Sequence, residues 1–111
     1  MDEVVRKIAA LGLPGVVLLV TMASTGLAGA AAITAALAAL GPAGMLGGVA
    51  FLGVVGIAGD ALSKFGLEAI LSGVYLERRR QGASITSLHR EIDQLWVSND
   101  LKRLLREVVS R

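Results

Sequence analysis

The sequence predicts an all-α protein: a Gly/Ala-rich transmembrane helical hairpin followed by a C-terminal amphipathic αα-hairpin. Three observations predict it. From Ile8 to Gly59 the chain runs 52 residues without Asp, Glu, Lys, Arg or His. A soluble hairpin of that length carries charge on every turn of its wet face, whereas a bilayer core needs only about 20 apolar residues per helix. Hydrophobic residues make up 54% of the 111-residue chain, yet aromatics make up 4%. The mean hydropathy of +0.68 therefore rests on Ala, Gly, Val and Leu, small residues that let helix backbones approach closely in lipid. Beyond residue 80 the pattern changes: Ile85, Leu88, Ile92 and Leu95 recur at 3–4–3 spacing, the stripe of an amphipathic helix.

The elements follow in order. Residues 1–12 read as a short amphipathic helix, with Asp2 and Glu3 at its positive end. Gly12 and Pro14 punctuate it, and Pro14 suits the first turn of the next helix. Residues 13–80 form the membrane-spanning hairpin, its turn near 41–43 in LGPAG. The first arm runs 13–40. The second starts near Ala43 and meets no proline, so it is expected to continue to about Arg80, longer than a bilayer is thick. QGAS at 81–84 is a hinge. Residues 84–111 form the terminal hairpin, with Trp96 beside the first apolar stripe and Ser98 or Asn99 capping the second helix. A signal-peptide reading, with AGA at 28–30 as the cleavage site, is disfavoured by Asp2 and Glu3 and by an apolar run that continues well past it.

Glycine placement suggests how the helices pack. Gly44 and Gly48 make a G-x-x-x-G, a weak signal for close helix contact. Gly59, Gly66 and Gly73 fall seven apart, which holds a narrow groove along one face of a helix. Asp60, Lys64 and Glu68 fall four apart on nearly the opposite side and alternate in sign. That stripe is expected to be a wet helix surface, a polar seam or the wall of a pore.

Charge distribution sets orientation. Residues 1–75 carry net −1 and residues 76–111 net +3. Arg6, Lys7, Arg78, Arg79 and Arg80 flank the apolar run as membrane-surface anchors, and the positive-inside rule then puts both termini on the cytoplasmic side. The terminal hairpin, with Ile85, Leu88, Ile92, Leu95, Leu101, Leu104, Leu105 and Val108 facing one way, must close on itself, on another copy, on a protein partner or on the membrane surface.

Several classes drop out. Without cysteine there is no disulfide framework and no thiolate site. The glycines match neither a dinucleotide fingerprint nor a phosphate loop. His89, the single histidine, has no ligand set around it and reads as a solvated surface residue, with Glu91 and Asp93 on the polar face of the same helix. No catalytic residue, metal or cofactor is expected. The tail's cations are interleaved with Asp100 and Glu107, so nucleic acid is not expected either. What remains is a small integral membrane protein that self-assembles and perturbs or permeabilises a bilayer, as holins and defence effectors do. The alternatives are a non-conducting membrane adaptor that docks a partner through its tail, and a self-assembling structural protein.

Overall fold

The computed structural model describes residues 2–25 and 56–111, and all regular structure among them is helical. Gly44, Gly48 and the expected turn near 41–43 lie outside the described residues. Helix α1 spans Asp2–Leu11 and α2 spans Leu13–Thr25. Helix α3 is described over 56–65, and α4 spans Leu67–Arg80. Helices α5 and α6 span Ile85–Asp93 and Asn99–Ser110.

In α1, Val4, Val5, Ile8 and Ala9 are buried, the i, i+1, i+4, i+5 stripe of a one-sided helix. At its end Gly12 takes φ +70° and at once becomes the acceptor that opens α2, its carbonyl receiving Val16 N–H at 3.3 Å. Pro14 lies in that first turn, where a missing N–H costs nothing. The α1–α2 corner is tight. A Cβ on Gly15 would stand 2.6 Å from Ile8 O, so glycine there is a packing requirement.

The expected continuous second arm is interrupted. Gly66 adopts φ +84° and ψ 161°, a region open essentially only to glycine. Its N–H closes α3 on Leu62 O at 3.1 Å, and its carbonyl opens α4 by accepting from Ile70 N–H at 3.3 Å. Absence of proline does not guarantee a straight helix, because glycine has no Cβ to oppose the kink. The seven-residue glycine groove is corrected accordingly. Gly73 is a true close approach, with Val5 Cγ2 3.0 Å from where its Cβ would be, and Gly59 faces Met22 Cε at 3.7 Å, but Gly66 has nothing within 4 Å. It is a joint and not a contact.

Helix α4 ends in a Schellman motif: Gly82, at φ +103°, donates to Arg79 O and Ala83 donates to Arg78 O, each at 3.1 Å. Ser84 then caps α5 by accepting from Ser87 N–H at 3.2 Å, and Ser98 caps α6 by accepting from Leu101 N–H at 3.1 Å.

Helix α4 is the hub. It packs against α1, α2 and α6, while α1 also meets α2 and α5 meets α6. Ile70, Leu71, Val74 and Tyr75 of α4 are completely buried, as are Leu88, Ile92, Leu105 and Val109 from the last two helices. The terminal hairpin thus closes on α4 of its own chain. Among the described residues no helix is long and apolar enough to cross a membrane.

Replacing Gly66 by alanine forces a Cβ into a conformation that L-residues avoid and costs about 1–3 kcal/mol. Urea denaturation should show the loss, whereas alanine at Gly56, where the space is open and φ is ordinary, should hold stability or raise it, by up to about 1 kcal/mol.

Candidate functional site

Two features stand out on this scaffold: a polar tie inside the bundle, and the place where α2 meets α3.

The tie is built on Tyr75. The apolar positions of α4 recur as Ile70, Leu71, Val74 and Tyr75, which carries the only tyrosine of the chain into the core. A buried phenol needs an acceptor. Its Oη donates to Glu91 Oε1 of α5 at 2.9 Å, and Arg78 donates to that same oxygen from one turn farther along α4. The Arg78 guanidinium lies over the Tyr75 ring, 5.5 Å from its centroid. The Arg78 and Glu91 side chains are only 15% and 12% exposed. Burial raises the Tyr75 phenol well above its ordinary value of 10.0, and the neighbouring Glu91 carboxylate, by charge and by hydrogen bond, pushes the same way against the pull of Arg78. Arg79, next on α4, donates to Val109 O of α6.

This geometry relocates several residues that the sequence placed outside. Glu91, expected on a solvated face, is the shared acceptor of the core. Of the expected membrane-surface anchors, Arg78 and Arg79 turn inward, while Arg80 is 76% exposed beside Glu77 at 3.5 Å. Arg6 donates to Asp2 O at 3.4 Å, and Lys7 pairs with Glu3 at 3.2 Å on the outside of α1. The tail stripe is split: Leu88, Ile92, Leu95, Leu101, Leu105 and Val108 are buried, Leu104 is partly covered and Ile85 is 40% exposed. His89 Nε2 lies 3.1 Å from Ser110 Oγ, whose hydroxyl donates to Arg106 O at 2.8 Å. The imidazole and Ser110 thereby pin the end of α6 to α5.

The charged stripe divides at the joint. Asp60 and Lys64 form an exposed pair at 3.1 Å on α3, while Glu68 lies exposed on α4, beyond Gly66. The three therefore do not share one straight helix face.

The second feature is the neck. Helices α2 and α3 meet there, with Met22 Cε 3.7 Å from where a Cβ on Gly59 would be. Ala58 and Met22 are buried at this point. Beside it, Leu13, Val17, Val20 and Thr21 of α2 form one wall of a cleft of about 160 Å³, opposite Glu91, Gln94, Leu95 and Trp96. No sequence signal distinguished this neck, since Met22 and Gly59 are 37 positions apart in an unpatterned apolar run.

Among the described residues no group of His, Cys, Asp or Glu side chains is arranged to hold a metal ion. Comparison with family models, with curated proteins and with solved structures finds no match to this chain.

Folding retains the Tyr75 proton more tightly than the unfolded chain does. The bundle should therefore keep full stability below pH 10 and lose it as pH rises beyond, by up to about 1.4 kcal/mol per pH unit. Tyr75→Phe should remove that alkaline loss at a cost of about 1–2 kcal/mol near neutral pH. Glu91→Ala strands both Arg78 and the phenol and should cost about 3–5 kcal/mol. Urea titrations across pH check all three values.

Proposed function

We propose that this chain is a small membrane-associated helical protein, in which a folded head closed on Tyr75 carries an uncharged segment into a lipid bilayer. The observation that carries the reading is the neck. The two helices flanking residues 26–55 touch at Met22 and Gly59, and those 30 residues hold no ionisable side chain. The sequence midpoint between Met22 and Gly59 falls between Leu40 and Gly41, within LGPAG.

Lengths support the same reading. From Met22 to Leu40 and from Gly41 to Gly59 are 19 residues each, or ~28 Å per arm as helix. A hydrocarbon core is about 30 Å thick. Asp60, the first charge after the run, then stands at the boundary, where an exposed pair with Lys64 costs little. The rest of the head, α1 and α4–α6, stays on the aqueous side, and the first turns of α2 lead down to the bilayer.

In the finer form of the proposal, copies assemble through Gly44 and Gly48 of the second arm, and the assembly perturbs or permeabilises the bilayer. The tail supports this over an adaptor role, because its apolar stripe is largely used up against α4. Expressed in cells, the protein should stay with membranes through alkaline carbonate extraction, and recovery as a soluble monomer without detergent would overturn the membrane reading. Added to dye-loaded liposomes, it should release dye in proportion to the oligomer formed. Stable insertion without release would leave a non-conducting membrane protein.

A further inference from the structure

Trp96 is the only tryptophan of the chain, and it is 80% exposed in the loop between α5 and α6. Among the described residues Leu13, Phe65 and Ile85 are also exposed large apolar side chains, and Trp96 is the most open of the four. The indole is not isolated. It forms the rim of the cleft whose opposite wall is Leu13, Val17, Val20 and Thr21. Those positions are one face of α2 at 3–4 spacing, and Leu13 is itself 39% exposed. The cleft is apolar on the α2 side and ends in Glu91 and Gln94 on the other.

We infer that this patch, Trp96 with Leu13 and the outer face of α2, is the surface by which the head rests on the bilayer, with the Trp96 indole in the headgroup layer. The inference rests on the membrane reading above and adds the orientation of the head to it. Position along the chain selects lipid as the occupant. Thr21 immediately precedes Met22, where the 19-residue arm assigned above to the bilayer begins, so the wall of the cleft ends at the level where α2 would meet lipid. Tryptophan, with an apolar ring and one N–H donor, is the side chain that concentrates at that level.

A single tryptophan makes the test direct. Full-length protein is reconstituted from detergent into vesicles of phosphatidylcholine and phosphatidylglycerol, and Trp96 emission is compared with that in detergent. The emission should shift to the blue on binding. Lipids brominated near the glycerol end of the acyl chain should quench it more than lipids brominated near the methyl end. Trp96→Ser, at a site too exposed to matter for folding, should weaken vesicle partition about tenfold in sedimentation with unchanged helicity. Protein that resists carbonate extraction while its emission neither shifts nor quenches would overturn this orientation and leave the membrane reading standing. A blue shift in detergent micelles that grows with protein concentration, with no quenching by either brominated lipid after reconstitution, would overturn it in favour of a second copy on the patch. Failure to bind vesicles or cell membranes at all would overturn both.

Discussion

The bundle depends on one carboxylate oxygen. Glu91 Oε1 receives the Tyr75 phenol and the Arg78 guanidinium together, and it does so where α5 crosses the hub helix. Burying a charge without partners costs several kcal/mol, so Glu91 and Arg78 each make the other's burial tolerable. The Tyr75 hydroxyl uses the same acceptor, which lets the ring fill the core beside Leu71 and Val74 without leaving a polar atom unsatisfied. Apolar contact holds α6 on α4 over a broad area but sets no register. The polar tie does, because only one rotation of α5 brings Glu91 to both donors.

That register has consequences at a distance. With α5 fixed, the loop after it is placed against α2, and Trp96 faces Val17 and Thr21 across the cleft. Helix α1 is seated on α4 at Gly73, where Val5 Cγ2 stands 3.0 Å from the place a Cβ would take. The tight corner at Gly15 then directs α2 back over α4. The position of the neck, Met22 against Gly59, thus follows from the packing of elements that carry none of the uncharged run's central residues.

Much of the helical content could be read directly. The stripes of α1, α5 and α6 are regular, Ser84 and Ser98 are strong caps, and Gly82 follows a basic last turn, so local physics and sequence pattern agree there. The site was less legible. Tyr75 is marked for burial by its spacing from Ile70, Leu71 and Val74, and a buried phenol must find an acceptor. Five acidic side chains follow it, and nothing local separates Glu91, sixteen residues on, from Asp93 or Glu107. Gly66 was legible only as a spacing. A glycine seven residues from two others fits a groove and a joint equally well, and φ alone separates them.

The sequence by itself determined the all-α class, the caps, the amphipathic faces and the uncharged character of residues 8–59, because these follow from side-chain chemistry and from periods of three to four residues. Only the tertiary structure decided that the second arm bends at Gly66, that Arg78 and Arg79 face the protein rather than its surroundings, and that Glu91 is a core acceptor. Each of those depends on a partner many residues away along the chain. A residue's periodicity shows which way it faces on its own helix, and the neighbouring helix decides whether that direction is core, water or lipid.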